Sequence, residues 1–235
     1  MKLLFHSSSS RGHANHGWLD AKHSFSFASW YDPERIHFGA LRVLNDDTVD
    51  PAMGFGMHPH DNMEIITIPL QGALKHRDSM GYSEIIEAGE VQVMSAGTGI
   101  LHSEMNPSQT QPVSLFQIWI FPNQQQLEPR YAQRPYQLAA NAFTELVGPL
   151  SSGINTYIHQ DAWISIGTFD ANETARYALK TPGNGVYLLL IQGEIQLENQ
   201  ILKPRDAVGI TDCNAFELHC KQNSKLLVIE VPLEF

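Results

Sequence analysis

Two short segments carry side chains with the chemistry of metal ligands, in pairs two residues apart. The first is Met57-His58-Pro59-His60-Asp61-Asn62-Met63-Glu64, and the second is Ile100-Leu101-His102-Ser103-Glu104. In a β-strand, residues i and i+2 share a face, about 7 Å apart. An extended backbone therefore lets His58 and His60 aim at one point, and His102 and Glu104 do the same from a second strand. If the two strands face each other across a barrel, four donors meet. Three imidazoles and a carboxylate suit a mid-row transition metal. Glu64 is a rival carboxylate, because six residues from His58 is again the same strand face. The rest of the chain reads as a frame for this point.

The frame has 235 residues, enough for one large β domain or two small ones. With 43% hydrophobic and 17% charged residues it has the balance of a globular protein. No apolar run approaches the roughly 18 residues of a membrane span. Met1-Lys2-Leu3-Leu4-Phe5-His6 lacks the apolar core of a signal peptide, so a soluble, cytoplasmic protein without a membrane partner is expected. A formal charge of −10 argues against direct nucleic-acid binding and leaves protein partners open. Cys213 and Cys220, with six residues between them, lack zinc-knuckle spacing and read as reduced thiols in or near a strand.

Residues 1–35 are rich in Ser, His and Gly, and Ser7-Ser8-Ser9-Ser10-Arg11-Gly12 reads as a loop. His6, His13, His16 and His23 there share no ligand face and are assigned structural or surface roles. Ser24 to Ala28 alternates like a half-buried strand. Phe38 to Leu44 is a strand that Asn45-Asp46-Asp47 should end with turn chemistry. Ile65 to Ile68, Ala73 to His76, Tyr82 to Glu87, Glu90 to Met94 and Val113 to Phe121 follow, punctuated by glycines and prolines. Residues 123–150 read as a linker with at most a short helix. Strands then resume at Thr156 to Ile158, Ala162 to Phe169, Ala175 to Leu179, Val186 to Ile191, Glu194 to Leu197, Ala207 to Ile210, Ala215 to Cys220 and Lys225 to Val231. Many short strands at regular spacing predict a sandwich or barrel.

The second half repeats the first faintly. Ile68-Pro69-Leu70-Gln71-Gly72-Ala73-Leu74 compares with Leu189-Leu190-Ile191-Gln192-Gly193-Glu194-Ile195. Laying Gly72 on Gly193 sets His58 and His60 on Leu179 and Thr181. His219 then falls near His102, and Lys221 stands where Glu104 would be. A duplicated fold with metal in the first copy alone is the expectation.

His58-x-His60-x3-Glu64-x7-Gly72 resembles the first cupin motif, and Gly89-x5-Ser95-x-Gly97 with His102-x3-Asn106 resembles the second. More specifically, the chain resembles the pirin family. Its marks are His23 to Ala28, Gly39 to Asp47, Gly54 to His60 and Met94 to Glu104. Within that family it is most similar to the bacterial pirin-like quercetin 2,3-dioxygenases.

The resemblance implies an all-β bicupin of two β-barrel (double-stranded β-helix) domains with few short helices. Residues 1–130 would form the metal-binding cupin domain and 131–235 a degenerate one. It implies a metal held by His58, His60, His102 and Glu104, where ordinary cupins use the Glu64 position. Glu64 would then orient a ligand histidine. Iron(II) is implied first, and Mn, Co, Ni, Cu or Zn also suit these donors. The absence of a nearby thiolate argues against Cu(I) or structural zinc.

Four ligands on a six-coordinate ion leave two open positions. The activity implied is opening of a flavonol such as quercetin by dioxygen, with release of carbon monoxide and Glu104 as proton acceptor. Phe55, Met57, Met63 and Phe116 are read as barrel core or, alternatively, as lining a pocket for a flat aromatic ligand. The family also implies a second reading, a redox-responsive regulator that binds a protein partner through the same site.

Overall fold

Short apolar, β-branched runs closed by glycines leave the chain little choice but strands. A computed structural model describes residues 1–235. The first half contains β1 (Lys2–His6), β2 (Gly12–Asn15), β3 (Leu19–His23), β4 (Leu41–Val49), β5 (Gly54–His60), β6 (Glu64–Gln71), β7 (Ala73–Asp78), β8 (Ser83–Glu87), β9 (Glu90–Ser95), β10 (Ile100–Met105), β11 (Val113–Ile120) and β12 (Arg130–Pro135). The second contains β13 (Ala142–Pro149), β14 (Tyr157–Ile158), β15 (Trp163–Phe169), β16 (Thr174–Ala178), β17 (Asn184–Gln192), β18 (Ile195–Leu197), β19 (Gln200–Leu202), β20 (Ala207–Thr211), β21 (Ala215–Cys220) and β22 (Ser224–Pro232). Two three-residue 3-10 turns, Ser8–Ser10 and Leu150–Ser152, are the helical content. No helix is long and apolar enough to cross a membrane.

The strands form two barrels, each a seven-stranded sheet and a four-stranded sheet. The orders are β12-β9-β6-β11-β4-β3-β2 with β5-β10-β7-β8, and β1-β20-β17-β22-β15-β13-β14 with β16-β21-β18-β19. The two lists correspond strand for strand. The outermost strands are exchanged: β1 precedes the first barrel in the chain but pairs with β20 of the second. Likewise β12 precedes the second barrel but pairs with β9 of the first. The halves therefore interlock around the proposed division at residue 130.

Several sequence expectations are corrected. Residues 123–150 are not a linker, since they hold β12 and β13. β12 is a half-buried edge strand without polar–apolar alternation, shaped by its partner β9 and by bonds from Arg130 and Arg134 to the second half. The loop read at Ser7 to Gly12 joins β1 to β2, and β1, β2 and β3 are strands beyond those expected from the sequence. Ser24 to Ala28 is not a strand; Ser24, Phe25 and Ser26 are all buried, and the segment closes a turn through Phe27 and Trp30. Asn45-Asp46-Asp47 does not end its strand, because β4 runs on to Val49.

The seven-stranded sheets bury both faces. One face of each joins a 24-residue core between the barrels, with Ile66, Phe116, Tyr187 and Ile229 among its members. The other faces look into the barrels, and here the barrels differ. The second is filled by a cluster of 16 buried apolar residues. The first carries a row of polar side chains straight across its sheet, His23–Asn45–Gln117–Thr67–Gln92–Gln133, each directly opposite the next. The matching row of the second barrel is Glu145–Ser165–Val228–Leu188–Val208–Phe5.

Gly72 and Gly193 open equivalent hairpins at φ 76° and 95°, a conformation glycine reaches without strain. The ladders correct the rest of the internal comparison. Tyr177 lies opposite Phe216 as His58 lies opposite His102. His58, His60 and His102 therefore correspond to Tyr177, Leu179 and Phe216. The loop after β16 is two residues longer than the loop after β5, which a count back from the glycine cannot register. His219 points outward, exposed to solvent.

Candidate metal centre

β5 and β10 are hydrogen-bonded neighbours, not strands facing across a barrel, and His58 lies directly opposite His102. Side chains paired this way stand about 5 Å apart at Cβ, and the inward face of β5 adds His60. The three rings lie 4.4 Å (His58–His102), 4.9 Å (His58–His60) and 4.9 Å (His60–His102) apart by centroid. Their candidate ligand nitrogens all lie within 4.8 Å of one another.

These residues fit a metal. The His58 Nδ1–H donates to the Gly56 carbonyl at 2.8 Å, which leaves its Nε2 lone pair free. His60 Nε2 and both ring nitrogens of His102 are buried without a hydrogen-bond partner. Burial, with the charge of neighbouring imidazoles, pushes His60 down to about 4 and His102 down to about 2. Both rings are thus neutral, the form that binds metal.

Glu104 lies two residues on from His102, beyond a bulge that sets it opposite Phe55. Its Oε1 stands 3.4 Å from Thr67 Oγ1, whose single proton also reaches Gln117 Oε1 at 2.9 Å. Burial pushes its carboxyl up to about 7. The side chains whose donors lie within 4.8 Å of one another are the imidazoles alone, and Glu104 faces the same cavity beside them.

Glu64 is elsewhere. Its Oε2 accepts from Ser95 Oγ at 2.7 Å, and its Oε1 pairs with His159 Nδ1 of the second half at 3.0 Å. The expectation that it orients a ligand histidine is corrected: it ties the two barrels together. Strand parity from His58 fails because the chain turns between β5 and β6, with Asn62 at φ 44°.

His58 and His60 open on a cavity of about 460 Å³, while His102 is buried; the volume is within the range of small-molecule sites. Trp18 packs edge-on against Phe55 at 5.3 Å, and Phe27 against Trp119 at 5.3 Å; all four line it. Trp119 in turn stands edge-on to His60 at 4.9 Å. Of the apolar residues singled out from sequence, Phe55 lines the cavity. Phe116 belongs to the core between the barrels, Met63 packs on a small cluster with Ile65 and Met94, and Met57 is exposed.

Sequence reasoning missed Trp18, Phe27, Trp119 and the polar liners Asn45, Asp47 and Gln117. Gln117 left a usable trace as a lone amide inside the apolar run Val113 to Ile120. It also missed His76, whose Nε2 pairs with Asp78 Oδ2 at 2.8 Å and whose ring backs His102 at 5.4 Å.

Asp47 is buried, and desolvation, with the Asp46 and Glu104 charges, pushes its carboxyl up to about 8. A folded-state pKa above the unfolded one contributes stability that is present below about pH 4 and lost as pH rises through about 8. Metal-free Asp47→Asn should match wild type at pH 4 and exceed it by a few kcal/mol, to order of magnitude, above pH 8. Urea titrations across this window test it, and parallel pH profiles would refute the assignment.

The fold and this site define a two-barrel cupin with a centre for a divalent metal in its first barrel. Residues 5–120 match the Pirin family model, and residues 147–231 match that of the quercetinase C-terminal cupin domain. The chain is 40% identical over 222 residues to a quercetin 2,3-dioxygenase of Escherichia coli strain K12, covering 94% of this chain and 95% of that one. It is 39% identical over 222 residues to a pirin-like protein of Caulobacter vibrioides, covering 93% and 95%. Its structure matches YhhW from Escherichia coli with a TM-score of 0.93 at 38% identity over the whole of both chains. It matches the nickel(II) complex of that bacterial pirin with 0.92 at 38% identity, over 98% and 99% of the chains. The chain belongs to the pirin family.

Proposed function

We propose that this protein is a metal-dependent dioxygenase that opens the heterocycle of a flavonol such as quercetin, consuming dioxygen and releasing carbon monoxide. The observation that carries the reading is the cluster of three imidazoles, two of which line an aromatic-walled cavity. The name and likeness of the Escherichia coli relative support it. His58, His60 and His102 would hold the metal, with Glu104 as fourth ligand. The donors are nitrogen and oxygen, which suit Fe(II), the metal the family resemblance implies first, and also admit Zn, Mn, Co, Ni or Cu. Cys213 and Cys220 are unpaired thiols of the second barrel, in keeping with a cytoplasmic setting.

Bound metal supplies Lewis acidity that lowers the pKa of a substrate hydroxyl. Glu104, buried and facing the cavity beside the imidazoles, accepts the proton of that hydroxyl. The aromatic pairs Trp18–Phe55 and Phe27–Trp119 hold a flat ring and keep water away. Aerobic incubation with quercetin, following flavonol absorbance and carbon monoxide, tests the reading. Glu104→Gln should lower turnover at least about 100-fold. Full turnover with metal retained would remove Glu104 from the reaction.

A second reading has its own observation. Met57 and Leu101, next in sequence to His58 and His102, are 57% and 45% exposed on the outer side of the same strands. That apolar surface favours a metal-responsive binding module. Bound metal without flavonol turnover would select it.

A further inference from the structure

We propose that Asp47 is the specificity-determining residue of the cavity, binding a substrate hydroxyl other than the one that reacts beside the imidazoles. The inference deepens the flavonol reading and rests on it. It makes the preferred ligand a polyhydroxylated flat aromatic, set apart from the same skeleton lacking the additional hydroxyls.

The carboxyl stands where the barrel has no use for it. Along the sheet Asp47 lies between Ala21 and Leu115, and the next row inward is Leu19–Val49–Val113. Five of these neighbours form one apolar cluster, joined at its edge by Trp18 and Phe55. Asp47 is 5% exposed, and no protein donor reaches either of its oxygens; Oδ1 is buried without a partner. The basic side chains nearby serve Asp46 instead: Arg11 at 3.0 Å and Arg205 at 2.9 Å. An unpaired buried carboxyl costs free energy, and a hydrogen-bonding ligand would offset that cost.

The second barrel shows the same place without a ligand function. By the ladders, Ala21, Asp47 and Leu115 correspond to Phe143, Gly167 and Leu226. There Phe143 and Phe169 fill the space so closely that a Cβ on Gly167 would meet each ring at 2.8 Å. The first barrel puts a small Ala21 and an acid where the second packs rings. A polar group buried to meet a substrate hydroxyl strongly rejects the analogue lacking it, because the group is then left unpaired.

The test uses zinc-loaded protein without oxygen, so that binding is read apart from turnover. Quenching of tryptophan fluorescence reports occupancy, since Trp18 and Trp119 line the cavity. Quercetin and 3-hydroxyflavone share the reacting end and differ in the other hydroxyls. Wild type should bind quercetin at least about tenfold more tightly. Asp47→Leu should bring that ratio near one with zinc content unchanged. Asp47→Asn, of the same size, should lower it at least about threefold and covers a misfolded leucine variant. A ratio unchanged in both variants overturns the role of Asp47 and leaves the flavonol reading standing. Equal binding of both ligands by wild type does the same, whereas no binding of either overturns both.

Discussion

His102→Ala is expected to lose tightly bound metal and at least about 1,000-fold in flavonol turnover, while remaining folded. His102 is the buried member of the triad, with the other two rings 4.4 and 4.9 Å away. Neither of its nitrogens has a partner in the protein, so truncation breaks no hydrogen bond of the fold. It does remove one of three donors, and two imidazoles from β5 cannot close the site. Added metal should raise the thermal transition of wild type, since a ligand bound only by the folded state stabilises it, and should leave the variant unmoved. Metal analysis after gel filtration, with carbon monoxide release, decides the matter. A variant that keeps stoichiometric metal would show the ion is bound elsewhere.

Glu230→Ala should destabilise the protein by about 3–5 kcal/mol without touching the metal centre. Glu230 is fully buried in the second barrel and accepts from Tyr177 Oη at 2.9 Å, the backbone N–H of Lys180 and of Thr181, and Asn184 Nδ2. Burial, then the Glu230 charge, pushes the Tyr177 phenol up, so it stays a donor. Losing the carboxylate leaves these buried donors unpaired at once. The ladders give Glu230 the place of Trp119. One barrel thus ties down its 180–184 loop with a carboxylate, and the other keeps an indole beside an open cavity. Urea denaturation measures the loss, and a cost below about 1 kcal/mol would mean the loop finds other partners.

That His58 and His60 share a face was legible because side-chain parity is local: two residues apart on a strand means one face, whatever the rest of the chain does; that His102 joins them depends on the pairing of β5 with β10. The all-β character was legible for the same reason, in the runs Ile65 to Ile68 and Val113 to Phe121. Parity fails wherever the chain turns, which is why Glu64 was a rival on paper and is a tie to His159 in the structure. Asp47 shows a second limit. Asn-Asp-Asp is turn chemistry by composition, yet β4 continues because Asn45 joins the polar row built with β3, β11, β6 and β9, and Asp47 keeps its ladder pairing to Ala21 and Leu115.

By itself, then, the sequence determined that the chain makes strands, that it repeats itself, and which short segments carry ligands. The tertiary structure alone decided that β1 and β12 change barrels and that Phe216, not His219, answers His102. It also decided that a row of polar side chains crosses one sheet where the matching row of the other turns apolar from Val228 onward. The reason is physical: strand periodicity is a property of neighbouring residues, whereas a row across a sheet is made by residues far apart in the chain, and only the register of hydrogen bonds between strands brings them side by side.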